Sequence, residues 1–362
     1  MNFCGKLFGT TNSSYLMKQL SWFNKIIYSL NILLAILTFA GYVLPFLAPR
    51  MFPVLSVLTL GLPLLLMLNI LFFFYWLLQV RKQIFVSALV LLIGIGFLSK
   101  WYRFSSEKLP VSEDDFTVMS YNVRLFNKYK WLNNDSILSD IVKFVESENP
   151  DILCFQEYSD LGGGQFKNYK YNYIEYLSKS FGHAIYSKFP IINRGIIRFE
   201  DSNNNVIFAD IKKGNDTLRV YSMHLQSIEI TRDIASIEQE INQEKSELIF
   251  KKLSKAFTKQ QEQAAILKEH KELCKYPLII CGDMNNSAFS YVYRTIKGNL
   301  NDAFEQAGSG FGKSYHFKYY PARIDYIFAD KSLVVKEFKT FNNKKYSDHY
   351  PIKARLSVQP TE

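Results

Sequence analysis

Leu278-Ile279-Ile280-Cys281-Gly282-Asp283-Met284-Asn285 is a short apolar run, rich in β-branched residues, that stops at a glycine and passes at once to a carboxylate and a carboxamide. A run of this length between turn residues reads as a strand buried on both faces. Side chains just beyond such a strand are held by a rigid scaffold and still reach solvent, where a catalytic group is useful. Alone, Asp283 and Asn285 would read as turn residues. The case for chemistry is that the arrangement recurs along the chain.

Strand-like runs at 117–121, 152–155 and 218–223 end at Asn122, at Gln156-Glu157 and at His224. Asp325 lies within a strand at 323–329, and Asp348-His349 lead into one at 352–358. Further strands are expected at 184–187, 191–199 and 333–338. A run at 206–211 forms a hairpin with 218–223 across Lys213-Gly214-Asn215-Asp216. Ile137, Leu138, Ile141, Val142 and Val145 share one face of a helix over 136–148, capped by Asp135 or Ser136. A second helix is expected at 290–296. The stretch 228–273 is mostly helical by composition, with Lys251, Lys252, Lys255 and Lys259 on a solvated face. Gly162–Gly164 reads as a flexible loop, and no internal repeat or low-complexity tract is present.

The polar residues at these strand ends are drawn only from Asn, Asp, Glu and His, whereas turns also use Ser, Gly and Pro. If the ends converge, they form a cluster of hard oxygen ligands with two imidazoles beside it. Such oxygens favour Mg²⁺ or Mn²⁺ over zinc. A divalent cation neutralises a phosphoryl oxygen and its leaving group, and a histidine oriented by a carboxylate handles a proton near neutral pH. No serine or cysteine stands in a nucleophile motif, so direct attack by water is the simpler mechanism.

Charge divides the 362 residues in two. Residues 1–106 contain no Asp or Glu and eight Lys or Arg, so they carry +8 of the formal net charge of +10. The remainder is close to balance and has no global basic footprint for DNA. Four cysteines do not make a disulfide framework in a chain of this size, and no Cys/His spacing resembles a zinc site. Cys154 and Cys281 sit in apolar runs and read as buried thiols.

Three uncharged apolar runs lie near the N-terminus, at 26–47, 54–80 and 84–98. A spanning helix needs roughly 20 such residues. Trp22, Phe23, Arg81, Lys82, Lys100, Trp101, Tyr102 and Arg103 flank the runs, as membrane interfaces favour. A cleaved signal peptide fits poorly, because two runs follow the first. Residues 1–106 are therefore expected to be a membrane anchor with three spanning helices, followed by a linker over 107–115 and a catalytic domain over 116–358. Lys18, Lys25, Arg81 and Lys82 outnumber Arg50, Lys100 and Arg103 on the other side, which favours a cytoplasmic N-terminus and, with three spans, an extracytoplasmic domain. A bacterial inner membrane is the expected location. The spans hold no Asp, Glu, His or mid-span Lys or Arg, so a transport path is not expected; Asn31 and Asn69 read as helix-packing contacts.

The segments Met119-Ser120-Tyr121-Asn122, Phe155-Gln156-Glu157, Gly182-His183-Ala184-Ile185-Tyr186-Ser187-Lys188-Phe189-Pro190, Ser222-Met223-His224-Leu225, Gly282-Asp283-Met284-Asn285, Arg323-Ile324-Asp325-Tyr326 and Ser347-Asp348-His349 together resemble the endonuclease/exonuclease/phosphatase superfamily, in its order and over nearly all of 114–358. The resemblance implies a four-layered α/β sandwich, two mixed sheets face to face with helices outside, and a site at one edge of the sheets. It makes Glu157 the principal metal ligand, supported by Asn122 and Asp348. Asp283 would orient or deprotonate water and Asn285 would hold the phosphate. His349 with Asp325 would form an imidazole–carboxylate dyad, and His224 would stabilise the phosphate or protonate the leaving oxygen. The roles of Asp283 and His349 as base are exchangeable. Arg124 stands where the abasic-site endonuclease branch has an acidic residue, and His224 resembles the DNase, sphingomyelinase and inositol-phosphatase branches. Arg124 lies either against a substrate phosphate or on the surface.

The expected activity is a membrane-tethered, Mg²⁺- or Mn²⁺-dependent phosphoester hydrolase acting on a phospholipid head group, a small phosphodiester or nucleic acid. The alternatives are an anchored endonuclease or exonuclease on DNA or RNA, and an inactive binding module. No protein partner is inferable.

Overall fold

The computed structural model describes residues 20–104, 109–178, 181–228, 243–318 and 320–358. Lys18, residues 107 and 108 of the linker and residues 229–242 of the helical stretch lie outside these. The chain forms two compact units. One runs to Leu44 and resumes over Leu58–Leu98; the other joins Pro45–Val57 to the chain from Ser99.

In the first unit, Trp22–Phe46 and Pro53–Leu78 are long and apolar enough to cross a membrane. The third run is not one straight helix: Ile84–Ile93 and Ile95–Trp101 meet at 71°. The break falls at Gly94, where an added Cβ would lie 2.0 Å from the Tyr42 hydroxyl. The unit buries polar groups among apolar ones and exposes large apolar side chains. Asn31 Nδ2 donates to Ser87 Oγ at 2.8 Å, Trp76 Nε1 donates to Asn31 Oδ1 at 3.0 Å, and Asn69 Nδ2 donates to Thr38 Oγ1 at 2.8 Å. Leu33, Ile36, Leu71, Phe74 and Leu89 are exposed. Buried polar contacts under an apolar surface suit helices packed together in lipid.

The second unit holds two six-stranded mixed sheets. The first has the order β11-β12-β1-β2-β4-β3 and the second β5-β6-β7-β8-β10-β9. The strands are β1 Phe116–Asn122, β2 Ile152–Tyr158, β3 Tyr171–Ser178, β4 Phe181–Ser187, β5 Ile191–Arg198, β6 Asn205–Lys213, β7 Asp216–His224, β8 Leu278–Asp283, β9 Asn301–Asp302, β10 Asp325–Ala329, β11 Leu333–Thr340 and β12 Ile352–Val358. The pairs β1/β2 and β7/β8 are parallel. β3 and the short helix Ala303–Ala307 had no counterpart in the expected elements.

Side chains alternate faces along a strand, so residues two apart share one. Val118, Ile152, Cys154 and Ile185 of the first sheet meet Ile207, Val220, Ile279, Cys281 and Ile327 of the second in a single core. The opposite faces pack on helices. Ile137–Glu148 covers the first sheet through Ile141, Phe144 and Val145. Gln243–Glu272 and Tyr291–Lys297 cover the second through Ala264, Leu267, Val292 and Ile296. Helix, sheet, sheet and helix make the four layers. Truncating one inner residue such as Ile279 to alanine costs about 2–5 kcal/mol.

Towards one edge the inter-sheet core turns polar. Ser120 Oγ donates to Gln156 Oε1 at 3.3 Å, and Gln156 Nε2 donates across the sheets to Ser222 Oγ at 2.9 Å. Two residues further along β1 and β7, at Asn122 and His224, and one further along β2, at Glu157, lies the site.

Candidate active site

Strand register sets the site before any side-chain contact is considered. Asn205 stands opposite His224, His224 beside Asp283, and Asp283 opposite Asp325, one row across β6, β7, β8 and β10. All four share the inner face with Val220, Ile279 and Ile327 and are buried. Gly282 makes the row possible. Its φ is +132° and a Cβ there would lie 2.1 Å from the Met223 carbonyl oxygen, so only glycine lets β8 approach β7 at this point.

From the first sheet come Asn122, at the end of β1, and Glu157. Gln156 takes the inward position on β2, and a register shift between Phe155 and Tyr158 turns Glu157 to the mouth at φ +49°. A non-glycine residue held there stores strain of the kind found at functional sites. The loop before β12 supplies Asp348 and His349, fixed by Ser347, whose hydroxyl donates to the Asn122 carbonyl at 2.9 Å and accepts from the His349 backbone N–H at 3.2 Å.

These groups converge on Asp283. Asn122 Nδ2 donates to Asp283 Oδ2 at 3.0 Å and to Glu157 Oε1 at 3.2 Å. His224 Nε2 lies 3.6 Å from Asp283 Oδ2 and 3.9 Å from Glu157 Oε1. His349 Nε2 lies 3.5 Å from Asp283 Oδ2, and its Nδ1 lies 3.0 Å from Asp325 Oδ2. Asp325 is itself held by its backbone N–H, which donates to Ser314 Oγ at 3.0 Å. The Tyr315 ring packs edge-on to the His349 ring, with centroids 4.9 Å apart.

Electrostatics separates the two imidazoles. Burial disfavours charge on both. At His349 the Asp325 and Asp283 carboxylates overcome it and hold the pKa well above its usual value, as an imidazolium. At His224 burial acts with the nearby His183 and His349 rings to push the pKa well down, so it stays neutral. Burial raises the Asp283 pKa; His349 opposes the rise and Asp325 adds to it. Desolvation also raises the Glu157 pKa, reinforced by the Asp348 carboxylate.

Every residue expected at the site is at or beside this cluster, two of them in unexpected company. Asn285 directs its amide donor to the Leu225 carbonyl at 2.9 Å, while its backbone N–H donates to Asp283 Oδ1 at 2.8 Å. Arg124 is not a bare surface residue. Its Nη1 lies 3.2 Å from Asp348 Oδ2 and its guanidinium covers the Trp131 ring at 4.6 Å. The run Arg124, Leu125, Phe126 and Asn127, all at positive φ, presents it there. His183 and Asn205 were missed as part of the row. Counting back across the 213–216 turn pairs His224 with Asn205, so half of that signal was present.

The donor set fits a divalent cation. Glu157 and Asp348 are like-charged and close enough to raise a pKa, and such a pair is relieved by a hard cation. Asn122 turns its amide nitrogen to Glu157, its oxygen accepting from the Arg124 backbone N–H at 3.1 Å, so it would have to flip its amide to offer that oxygen. Asp283, Asp325 and His349 each offer one ligand atom within 4.8 Å of the others, and this group too could hold an ion once His349 gives up a proton.

A family model described as Endonuclease/Exonuclease/phosphatase family matches residues 119–349, and one described only as a domain of unknown function matches residues 24–101. No curated protein matches the chain. Among solved structures, humanized D. rerio TDP2 carrying 14 mutations is 15% identical, with 68% of this chain and 100% of that one covered at a TM-score of 0.52. An endonuclease/exonuclease/phosphatase family protein from Bacteroides thetaiotaomicron is 18% identical, with 69% and 100% covered at 0.52. D. rerio TDP2 complexed with single strand DNA product is 17% identical, with 68% and 100% covered at 0.50. At these identities the likeness is one of fold. The family match, however, spans every residue gathered around Asp283, from Asn122 to His349, and the chain belongs to the endonuclease/exonuclease/phosphatase family.

Proposed function

We propose that the chain is a membrane-anchored phosphodiesterase that hydrolyses its substrate by attack of water. The observation that carries this reading is the meeting of Asn122, Glu157, His224, Asp283, Asp325 and His349 around one carboxylate. Glu157, Asn122 and Asp348 would hold Mg²⁺ or Mn²⁺, which when bound neutralises charge on the phosphoryl group. Asp283, with its raised pKa, accepts the proton of the attacking water. His349, kept charged by Asp325, faces the phosphate and neutralises its developing charge. Neutral His224 donates a hydrogen bond from Nε2. Arg124 lies where it can pass from Asp348 to a substrate oxygen.

Residues 1–106 are the anchor and 116–358 the catalytic domain in this reading. Contacts within the second unit support the side on which the domain lies. The Arg50 backbone N–H donates to Gln261 Oε1 at 2.8 Å, Ser254 Oγ donates to the Pro53 carbonyl at 3.3 Å, and Arg294 Nε donates to the Pro45 carbonyl at 3.2 Å. A loop and a domain so joined lie on one side, so an even number of crossings separates them. Both Pro53–Leu78 and the bent pair 84–101 then cross. With Lys18, Lys25, Arg81 and Lys82 on the other side against Arg50, Lys100 and Arg103, the domain is extracytoplasmic in this reading.

A lipid head group or small phosphodiester suits an anchored domain whose charge is near balance. An anchored nuclease is the second reading, favoured by the D. rerio TDP2 structure, which holds a single strand DNA product. Full-length protein in detergent, assayed on a chromogenic phosphodiester with Mg²⁺, Mn²⁺ or chelator, tests the common core. Cleavage is expected with metal only, and is expected to be lost in His349→Ala and Asp283→Ala. A folded protein that cleaves no lipid, nucleic acid or chromogenic diester would leave the binding module standing. A steep fall of DNA binding with salt would select the nuclease.

A further inference from the structure

Behind His224, on the side away from Asp283, the two sheets enclose a second polar cluster. Asn205 is the register partner of His224 on β6, which puts both side chains on the inner face as direct cross-strand neighbours. His183, on β4 of the opposite sheet, brings its ring to 6.0 Å from the His224 ring. All three residues are buried, His183 and Asn205 completely. Both ring nitrogens of His183, both amide atoms of Asn205 and Nδ1 of His224 have no hydrogen-bond partner among the described residues. The Asn205 side chain, the group nearest to bonding with His183, favours its protonation, but burial wins: the His183 pKa is pushed down to about 3. His183 is therefore neutral, with one donor and one acceptor.

Five unpaired buried polar atoms in one place are not the mark of an apolar core, because each is costly to bury without a partner. A buried water making about three hydrogen bonds satisfies a cluster of this make-up. The site-facing nitrogen sets what the cluster must do. His224 Nε2 faces two carboxylate oxygens and must carry the hydrogen, which leaves Nδ1 as an acceptor needing a donor. Asn205 Nδ2, an N–H of His183 or a water held between them supplies that donor.

We propose that His183 and Asn205 are positioning residues for His224, fixing through its Nδ1 the tautomer and ring orientation that present Nε2–H to Asp283 and Glu157. They never touch substrate. Their effect reaches the reaction only through the imidazole they orient, as with hydrogen-bond partners that orient metal-bound histidines. This inference rests on the phosphodiesterase reading for its kinetic consequence, but its spectroscopic consequence does not.

The chain has only five histidines, so full-length protein labelled with ¹⁵N-histidine and held in detergent gives five imidazole spin systems. The expected spectrum shows His224 as a single Nε2–H tautomer with Nδ1 in a hydrogen-bonded acceptor state, assigned by its loss in His224→Gln. A mixture of tautomers, or a free Nδ1, in the wild type overturns the proposal whether or not any substrate is cleaved. In His183→Leu and Asn205→Leu, kcat on the chromogenic diester is expected to fall about 10- to 100-fold with KM within threefold, and His224 to show both tautomers. His183→Gln, which keeps a donor and an acceptor, is expected to recover most of the loss. Variants that stay folded by thermal midpoint, yet keep kcat within twofold and the tautomer unchanged, would reduce both residues to filler and refute the inference.

Discussion

Asp325→Asn is the substitution that isolates charge from shape. Asp325 is buried at the edge of β10, its backbone N–H bonded to Ser314 Oγ, and asparagine fills the same volume. An amide oxygen can still accept from His349 Nδ1 at the 3.0 Å seen for the carboxylate, so the ring stays in place. Only the negative charge is removed. At 3 Å and an effective dielectric of about 20, that charge is worth roughly 5 kcal/mol to an imidazolium. The retained hydrogen bond and water offset part of it, leaving about 3–4 kcal/mol, or a 10²- to 10³-fold loss of kcat. KM is expected to change little, because His349 is proposed to act on charge that develops during reaction. The sign of the pH effect follows from the geometry. Asp325 and Asp283 raise the His349 pKa against burial, so losing one carboxylate lowers it, and the limb of the pH–rate profile that reports loss of the imidazolium moves to lower pH. Stability carries the same signature. A raised histidine pKa contributes stability that is fully present below about 6.5 and lost as pH rises through the folded value. The wild-type advantage over Asp325→Asn in thermal midpoint should therefore shrink on the alkaline side. Steady-state kinetics across pH on detergent-solubilised protein measures the catalytic effect. Activity within threefold of wild type, a loss confined to KM, or a profile displaced upward would each refute the dyad.

Three further expectations rest on separate features. Gly282→Ala places a Cβ 2.1 Å from the Met223 carbonyl oxygen at a φ of +132°, and should cost about 3 kcal/mol or more in unfolding free energy while taking activity with it; an unchanged thermal midpoint would show that β7 and β8 part easily. His183 and His224 have pKa values depressed by burial, so the unfolded chain binds protons below about pH 6.5 that the folded one refuses. Below that pH stability should fall by about 1.4 kcal/mol per pH unit for each of the two, for His183 until pH nears 3, and His183→Asn should flatten the slope by about half. Single cysteines placed at Phe52 and at Lys331 should label from the same face of sealed vesicles, and one at Lys82 from the other; labelling of 52 and 331 from opposite faces would break the parity argument for the bent third segment.

The local chemistry of the chain determined more of this protein than its strand count suggests. Alternation and β-branched runs gave β1, β2, β7, β8 and β12 within a residue or three of their ends, because burial on both faces leaves a continuous apolar signal that does not depend on neighbours. The residues that terminate those runs, Asn122, Glu157, His224 and Asp283, were legible because the same few residue types recur at one strand end after another, although each alone reads as a turn. The four-layer architecture entered through the motif resemblance and not through periodicity. β3 escaped because an edge strand rich in tyrosine, Tyr171–Ser178, lacks that apolar run. The bend at Gly94 escaped because an apolar run reads as one span whether straight or bent; the Tyr42 hydroxyl packed against that glycine lies about fifty residues earlier. Tertiary structure alone decided which strands are neighbours, and with that the row Asn205, His224, Asp283, Asp325. A sequence states the period of each strand and hence which residues share a face. Pairing is a non-local choice made by packing two sheets on one core, and only that choice could bring His183 from one sheet to stand behind His224 of the other, or turn Arg124 onto Asp348.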